Sequence, residues 1–530
     1  MERMGVERST GHRRRRLLTA AALASLLAAT CVTAADAAGP PPPPPQLTEK
    51  QVNDAVAKLD GIVRDGMEKT GVPGVAVAVV HKDRVVHIKG FGERETGKRG
   101  AVSPDTVFQL ASLSKPLAST VVAGAVGDKA IGWDDPVAKH VPGFALKDPW
   151  VTEHVTVADL FSHRSGLPDH GGDLLEDLGY DRDYILSHLR HLPLAPFRAS
   201  YAYTNFGLTA AAMAVAEAKN TSWEKLAEDT LYAPAGMNST SSRFDDYEKA
   251  GNKAVTHVKE GDAWQAKYVR DADAQSPAGG VSSTAEDMAT WMRLQLANGR
   301  LGDEQIVPAD PLTRTHWPES VAQPPAGPAD RTGFYGLGWN VGYDDQGRLR
   351  LSHSGAFGLG ANTNVTMLPA ERLGIVVLTN GEPVGLADSI AFNFYDTAQY
   401  GKPTADWLTR IGQVYEQEEQ EARSPTDYTR QPSGAADAQP ADTYTGTYRN
   451  DYYGALRVTA TNGGLTMELG PKPLRFPLTH YDGNTFSFVT VGENEVGRSG
   501  VMFTVDSGGK ASKVRVESLD ETGLGTFTRE

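Results

Sequence analysis

A change in residue pattern between residues 424 and 441 divides the chain into two parts. Before it, helical and strand patterns are mixed over several hundred residues. The segment itself is rich in Pro, Ala, Gly and Asp and has no apolar periodicity, which is typical of a linker. After it, short runs of alternating apolar and polar residues predict six half-buried strands, at 455–459, 465–469, 485–489, 501–505, 513–516 and 526–528. We therefore expect a mixed domain followed by a small antiparallel barrel or sandwich at 442–530.

The mixed stretch opens with two strand patterns separated by a short turn. Apolar residues dominate 75–80 and 85–91, with the polar residues 81–84 between them, and this predicts an antiparallel hairpin. Helical patterns follow and strand patterns then return: helices at 115–126, 183–192, 206–219 and 285–298, strands at 349–352, 362–368 and 374–378. Because helices and strands do not alternate steadily, we expect an α+β fold with an antiparallel sheet flanked by helices.

The first forty residues have the pattern of an export signal. Arg13 to Arg16 form a cationic segment, 17–31 is a short apolar run, and Ala35-Asp36-Ala37 resembles a small-residue cleavage site. The apolar run is too short for a comfortable membrane span. We expect residues 1–37 to be removed and the protein to be periplasmic or secreted. The export route stays open, since Arg14-Arg15-Arg16-Leu17-Leu18 also loosely fits a twin-arginine signal.

Two further segments complete the predicted organisation. Six consecutive prolines at 40–45 predict a stiff spacer, and the globular pattern starts near Thr48. A polar helix pattern at 406–423 precedes the linker. The predicted segments are a signal peptide at 1–37, a Pro-rich spacer at 38–47, the mixed domain at 48–400, a helix and linker at 401–441 and the all-β domain at 442–530.

Cysteine content and charge exclude several function classes. The only cysteine, Cys31, lies in the predicted signal, so the mature chain would have no thiolate nucleophile, disulfide framework or Cys-ligated metal. The formal net charge is −14 and no basic block follows residue 16, which makes nucleic acid and anionic membranes poor partners. The oligomeric state stays open.

A serine and a lysine three residues apart supply the first candidate for catalysis. Ser112 and Lys115 stand at a predicted helix start, so their side chains lie on one face of the helix, a turn apart. The lysine can stabilise the serine alkoxide or, if buried and neutral, accept its proton. The same spacing occurs at Ser222/Lys225 and Ser507/Lys510, which we interpret as a helix cap and a hairpin turn.

Two downstream motifs strengthen this interpretation. Tyr203-Thr204-Asn205 precedes a helical pattern, and His353-Ser354-Gly355 ends a strand pattern. Ser-x-x-Lys, Tyr-x-Asn and a basic residue-x-Gly, in that order, resemble the serine β-lactamase and penicillin-binding protein superfamily, including class C β-lactamases, DD-peptidases, D-aminopeptidases and esterases. The flanking segments 105–108, 163–168, 278–284 and 335–339 also look like this family. The segment Tyr444-Thr445-Gly446-Thr447-Tyr448 resembles the start of the lipocalin-like β-domain appended to many of these hydrolases.

The resemblance implies a fold with a helical subdomain and a specific role for each site residue. Ser112 would be the acylated nucleophile, and Lys115 would hold or accept its proton. Tyr203, with a phenol pKa lowered by neighbouring cations, would be the general base. Asn205 would bind the substrate amide. The remaining implied site positions are the backbone N–H groups of Ser112 and Ala356 as the oxyanion hole, and His353 and Gly355 on the substrate-binding strand.

One departure from the family pattern bears on the substrate. His353 stands where class C β-lactamases carry lysine, and a histidine with an ordinary pKa near 6.5 is mostly neutral at pH 7. This favours a peptidase, amidase or esterase over a β-lactamase, with no metal or cofactor and with a peptide or small molecule as substrate. Two alternatives remain. The chain could be a non-catalytic binder of penicillin or peptide, or its motif residues could be structural, with Tyr203 in the core, Asn205 as a helix cap and His353 as a hydrogen-bonded strand residue.

Overall fold

The computed structural model describes residues 44–461 and 463–530. The predicted signal at 1–37 and most of the predicted spacer lie outside the described residues. Leu47–Glu530 forms one compact unit. Among the helices of the described ranges, none is long and apolar enough to cross a membrane.

Fifteen α-helices are present in the described residues, several of them a single turn. In chain order, α1 to α15 are Glu49–Thr70, Ser114–Gly127, Pro149–His154, Val157–Phe161, Asp173–Asp177, Arg182–His188, Asn205–Ala218, Trp223–Ala227, Ala233–Ala235, Phe244–Lys249, Ser276–Gly279, Ala285–Leu296, Ala309–Thr315, Leu386–Tyr400 and Trp407–Ala422. The strands of the first domain, β1 to β14, are Gly74–His81, Arg84–Gly92, Phe108–Gln109, Val258–Glu260, Ala263–Gln265, Ser282–Ser283, Arg300–Leu301, Glu304–Gln305, Ser320–Gln323, Gly333–Tyr335, Asn340–Tyr343, Leu349–Phe357, Ala361–Leu368 and Leu373–Thr379.

An eight-stranded antiparallel sheet organises the first domain, in the order β2-β1-β14-β13-β12-β11-β10-β9. Helix α1 buries Val52, Ala55, Leu59 and Val63, whose three- and four-residue spacing forms one helical stripe. That stripe packs with the odd-numbered valines of β1 and with α14 on one sheet face. The even-numbered residues of β1 join the core with α2 and α12 on the other face.

The predicted hairpin is confirmed as β1 and β2. Its turn residues, Lys82 and Asp83, both have positive φ, 49° and 64°, and this left-handed conformation matches the twist of a tight hairpin. The predicted helix at 115–126 is α2, and the predicted strand at 349–352 begins β12, which runs on to Phe357. The long N-terminal helix α1 was not part of the sequence expectation. The α+β fold class with an antiparallel sheet is confirmed.

The all-β segment is a closed antiparallel barrel of eight strands, which decides between the predicted barrel and sandwich. Strands β15 to β22 are Gly446–Asn450, Gly454–Thr461, Gly464–Leu469, Leu474–Asp482, Thr485–Val489, Arg498–Val505, Ala511–Val516 and Thr526–Arg529. The sequence pattern indicates six of them and misses β15 and β18. Strand β18 contains Pro477, a residue that ordinarily argues against a strand.

The predicted linker at 424–441 packs against the barrel. Tyr428 is buried there, and a Cβ on Gly500 would lie 2.2 Å from the Tyr428 hydroxyl oxygen. The backbone N–H of Ala436 donates a hydrogen bond of 2.7 Å to Asp482. The segment therefore has irregular backbone but defined contacts.

Candidate active site

Ser112 lies in a single 3₁₀ turn, Ala111–Leu113, that leads directly into α2. Ala111 has φ of +49°, an unfavourable conformation for a residue with a Cβ. Neighbouring side chains hold this turn: Thr363 donates to the carbonyl oxygen of Leu110, and Ser114 donates to that of Ala111, each over 2.7 Å. The fold thus maintains a strained turn immediately before the serine.

The side chain of Lys115 is fully buried and makes three contacts through Nζ. Its partners are Ser112 Oγ at 3.0 Å, Asn205 Oδ1 at 2.7 Å and the carbonyl oxygen of Ala278 at 3.0 Å. Asn205 Oδ1 and the carbonyl oxygen of Ala278 can only accept hydrogen bonds. A neutral Lys115 amine would donate its two hydrogens to them, which leaves its lone pair directed at the serine hydroxyl.

The pKa of Lys115 favours this neutral form. Burial lowers the pKa from its usual value near 10.5 to about 7, against the opposing charge of Asp173. A substantial fraction of the amine is therefore unprotonated at neutral pH. Lys115 can accept the proton of Ser112 without the energetic penalty that an ordinary lysine would incur.

Tyr203 occupies the other side of the serine, as predicted. Its hydroxyl donates to Ser112 Oγ over 2.8 Å, and the centre of its ring lies 4.4 Å from Lys115 Nζ. The expected lowering of its pKa is wrong in direction: burial raises the pKa of Tyr203 well above its usual value near 10, although the hydrogen bond to Ser112 opposes this. The resting phenol is protonated, which makes Lys115 the stronger candidate for the first base.

Asn205 holds Lys115 in the structure. It is the first residue of α7, so the alternative role as a helix cap does not describe it. Its Oδ1 accepts from Lys115, and its Nδ2 donates to Asp173 over 2.7 Å. Asp173 accepts from His170 Nδ1 as well, at 2.8 Å. Asp173 was missed by sequence reasoning, because a lone aspartate at the start of a five-residue helix carries no motif.

His353 is buried on β12, and both of its ring nitrogens have partners. Nδ1 lies 2.7 Å from the carbonyl oxygen of Ser354, so it carries the proton, and Nε2 then accepts from the Tyr335 hydroxyl over 2.8 Å. Burial, followed by the charge of Lys115, lowers the pKa of His353 to about 3. The expectation of a histidine that becomes positive near pH 6.5 is therefore wrong, because His353 is neutral at that pH.

Gly355 lets β12 approach the serine turn. A Cβ at this position would lie 2.2 Å from the carbonyl oxygen of Leu110, 2.3 Å from Thr363 Oγ1 and 3.1 Å from the backbone nitrogen of Ser112. Ala356 follows on the same strand and is exposed. The two backbone N–H groups proposed for the oxyanion hole therefore belong to segments in direct contact.

His163 is a second residue whose place the sequence did not reveal. Its φ of +56° places it in a turn of left-handed backbone conformation. Its buried ring also accepts a hydrogen bond from the backbone N–H of Thr204 and contacts the rings of Tyr203 and Tyr335, with centroids 4.6 and 4.9 Å away. His163 thus lies between the tyrosine beside Ser112 and the tyrosine that binds His353.

The two competing Ser-x-x-Lys pairs lack comparable surroundings. Ser222 caps α8, its hydroxyl accepting from the backbone N–H of Lys225 over 3.2 Å, which confirms the predicted cap. Ser507 lies between β20 and β21, in the predicted hairpin turn. Of the three pairs, the one at Ser112 and Lys115 brings a buried low-pKa amine and a tyrosine hydroxyl to the serine hydroxyl. Such an arrangement can perform nucleophilic attack on a carbonyl group.

Comparison with curated proteins identifies distant relatives of the first domain. Protein flp of Staphylococcus aureus (strain MW2) is 23% identical over 346 residues, which cover 62% of this chain and 64% of that protein. Unguisins hydrolase ungD' of Aspergillus campestris (strain IBT 28561) is 26% identical over 331 residues, which cover 60% of each. The chain therefore spans less than two thirds of the length of these relatives.

Solved structures share the fold. The octameric penicillin-binding protein homologue from Pyrococcus abyssi superposes with a TM-score of 0.56 at 18% identity, over 87% of this chain and 98% of that one. A class C beta lactamase from Rhodobacter sphaeroides gives a TM-score of 0.53 at 23% identity, over 65% of this chain and 99% of that one.

Two family models match the chain, one for each domain. The model of a domain of unknown function, DUF3471, matches residues 430–526, which cover the barrel from β15 to the first residue of β22. The model named Beta-lactamase matches residues 59–393, more than half of the sequence and all of the motifs around Ser112. The chain belongs to the Beta-lactamase family.

Proposed function

We propose that this protein is an exported serine hydrolase that forms an acyl-enzyme at Ser112. The observation that carries the proposal is the environment of Ser112 Oγ, which lies 3.0 Å from Lys115 Nζ and 2.8 Å from the Tyr203 hydroxyl. A pKa of about 7 for Lys115 supports proton abstraction at neutral pH. The name of one relative, Unguisins hydrolase ungD', supports hydrolytic chemistry on this fold.

In the acylation step, Ser112 Oγ attacks the substrate carbonyl carbon and its proton passes to neutral Lys115. The backbone N–H groups of Ser112 and Ala356 stabilise the resulting oxyanion. As the tetrahedral intermediate collapses, the bond to the leaving group breaks, and the leaving group takes a proton from the Tyr203 hydroxyl, which is then reprotonated by Lys115. These transfers restore the neutral amine and the neutral phenol.

Deacylation repeats the sequence with water as the nucleophile. Water attacks the ester carbonyl of the acyl-enzyme and gives up a proton to neutral Lys115. Ser112 Oγ leaves and regains a proton from the Lys115 ammonium, directly or by relay through the Tyr203 hydroxyl, and the carboxylic acid product departs. No group outside the chain is required for proton balance.

The substrate class we propose is a peptide or amide, including D-amino-acid peptides of the cell-wall type, with an ester as the close second. The neutral, hydrogen-bonded state of His353 supports this choice. A β-lactam carries a carboxylate, and β12 presents an uncharged imidazole at the position where class C enzymes carry a lysine. A β-lactam is therefore the third choice.

A substrate panel tests the function. The chain from Ala38 onward is assayed with p-nitrophenyl acetate, D-alanine p-nitroanilide and a chromogenic cephalosporin, alongside Ser112→Ala and Ser222→Ala. We expect turnover of the amide or ester, abolished in Ser112→Ala and unchanged in Ser222→Ala. If all three substrates form a stable adduct without turnover, the protein is a sensor and not a hydrolase. If Ser112→Ala keeps full activity, the proposed nucleophile is wrong.

Export is part of the proposal, supported by the residue pattern of the first forty positions. Expression of the full chain in a bacterial host, followed by N-terminal peptide mapping of the extracytoplasmic fraction, tests it. A new N-terminus near Ala38 is expected, and an unprocessed chain in the cytoplasm alone would contradict it.

A further inference from the structure

A loop of the barrel reaches the strand that lines the candidate active site. Residues 490–497, which we name the 490–497 loop, connect β19 and β20. Within it, Glu493 Oε1 accepts from the backbone N–H of Gly358 over 2.7 Å, and Oε2 accepts from that of Leu359 over 3.3 Å. These two glycine and leucine amides follow β12 directly, two and three residues after Ala356. One barrel carboxylate thus binds the end of the proposed oxyanion strand.

The first domain holds this loop in place from its other side. Asp177, at the end of α5, accepts from the backbone N–H groups of Glu493 and Asn494, each over 2.9 Å, and from Asn494 Nδ2 over 2.8 Å. Gly492 has φ of +102°, and a Cβ there would lie 2.5 Å from Asp177 Cγ. The close fit leaves Glu493 little freedom to move away from the end of β12.

A buried arginine joins the loop to the serine turn. Arg270 lies 2.6 Å from Glu176, 3.5 Å from Glu493 and 4.0 Å from Asp177. Its guanidinium carbon lies 4.8 Å from the ring centre of Phe357, the last residue of β12. Its carbonyl oxygen accepts from the side chain of Gln109, three residues before the serine. The arginine therefore contacts both segments that form the proposed oxyanion hole.

The charge balance of this cluster argues against a purely stabilising role. Three carboxylates surround one guanidinium, and burial raises the pKa of both Glu176 and Glu493 to about 7 although Arg270 acts in the opposite direction. Raised carboxyl pKa values mean that the ionised cluster costs folding free energy at neutral pH. Without Glu493, Arg270 would still be paired with Glu176. The carboxylate of Glu493 is thus not needed to pair the charge of Arg270. In the described residues, no other side chain makes its two hydrogen bonds to the backbone.

We propose that Glu493 is a positioning residue for the reaction at Ser112: by binding the amides of Gly358 and Leu359, it fixes the end of β12 and with it the oxyanion-hole N–H of Ala356. The barrel then contributes to the active site through Glu493. This inference rests on the proposed acyl-enzyme function. Small displacements of an oxyanion donor reduce transition-state stabilisation with little effect on substrate binding.

Three full-length variants test the role. Glu493→Ala removes the carboxylate, Glu493→Gln keeps one acceptor oxygen but loses the charge, and Glu495→Gln is the matched control, since Glu495 is an exposed residue of the same loop. The measurements are the maximal acylation rate, the substrate concentration at half that rate, the melting temperature and the affinity for benzeneboronic acid. The boronate forms a tetrahedral adduct on a serine and places an oxygen in the oxyanion hole, so it reports on donor position.

For Glu493→Ala we expect about a tenfold to hundredfold lower maximal rate, the range caused by a small misplacement of a catalytic group, with a parallel loss of boronate affinity. The substrate concentration at half the maximal rate should stay within about twofold of the wild-type value, because the lost interaction acts only in the transition state. The maximal rate and boronate affinity of Glu493→Gln should lie between those of Glu493→Ala and the wild type. Those of Glu495→Gln should match the wild type.

Several results would overturn the inference. A folded Glu493→Ala with wild-type rate and boronate affinity would do so, as would a rate loss without the parallel boronate loss. If Glu493→Ala fails to fold, Glu493→Gln decides by the same two measurements. Ser112→Ala distinguishes a failure of the positioning role from a failure of the proposed function. If Ser112→Ala abolishes acylation while the Glu493 variants do not affect the rate, the positioning role alone fails. If Ser112→Ala is active, the proposed function fails.

Discussion

Replacing Asp173 with asparagine should shift the pH dependence of catalysis toward acid. Asn205 bridges Asp173 and Lys115 through two hydrogen bonds of 2.7 Å, and an asparagine at 173 would still accept from the Asn205 amide. The substitution therefore removes a negative charge while preserving the bridge. Because that charge raises the pKa of Lys115 from the level that burial alone would set, its loss lowers this pKa.

The expected decrease in the pKa of Lys115 follows from the geometry. Two hydrogen bonds of 2.7 Å and one amide group separate the carboxylate from Nζ. At a separation on the order of 7 Å and an effective dielectric constant of 20, two unit charges interact by about 2 kcal/mol. His170 lies 2.8 Å from Asp173 and offsets part of this: burial opposes its charged form, but the hydrogen bond and charge of Asp173 raise the pKa of His170 to about 9. We expect a net decrease of about one unit in the pKa of Lys115.

The assay is a pH–rate profile of kcat/KM for an ester substrate between pH 5 and 9. In the proposed mechanism catalysis requires neutral Lys115, so we expect the rate to rise with pH through the lysine pKa. In the wild type the midpoint should lie near pH 7, and in Asp173→Asn near pH 6. Asp169→Asn is the matched control, because Asp169 is exposed and its field is screened. A midpoint that stays in place, or moves to higher pH, refutes the assignment of Lys115 as the base.

Three further substitutions have defined outcomes. Tyr203→Phe should lower kcat by at least about 100-fold, the usual scale for a proton-transfer group, with little change in melting temperature; near-normal turnover would assign Tyr203 to the core. Gly355→Ala should lower the melting temperature and abolish activity, because its Cβ would lie 2.2 Å from the carbonyl oxygen of Leu110; a stable and active variant would contradict the described packing. His353→Lys should raise the cephalosporin-to-ester ratio of kcat/KM about tenfold at pH 7, the worth of one charged hydrogen bond of about 1.5 kcal/mol. The wild-type ratio should be equal at pH 7 and 5.5, since the pKa of His353 is about 3, and a ratio that rises in acid would show a charged imidazole.

Local sequence signals predicted the parts of the site that depend on local structure. The pairing of Ser112 with Lys115 follows from helical spacing, and the hairpin of β1 and β2 follows from apolar runs around a polar turn. The place of Tyr203 beside Ser112 came from motif order, since the two are 91 residues apart. No periodicity could have supplied it.

The remaining features depend on tertiary packing. Asp173, His163 and the pair of Arg270 and Glu493 meet their partners only after the chain has folded. His163 begins the family-like segment 163–168, but that segment does not indicate its ring contacts, and the other three residues belong to no motif. Both pKa errors have one cause. The sequence shows which charges occur near Tyr203 and His353 but not how completely each ring is buried, and burial dominates both shifts.

The proposed mechanism rests on Ser112 as the nucleophile. Labelling with a fluorophosphonate probe, followed by proteolysis and mass spectrometry of the modified peptide, tests it most directly, because the probe forms a stable adduct only on an activated serine. We expect one adduct on Ser112, absent in Ser112→Ala and reduced in Lys115→Ala. Labelling of Ser222 or Ser507 instead, or equal labelling of wild type and Ser112→Ala, would contradict it.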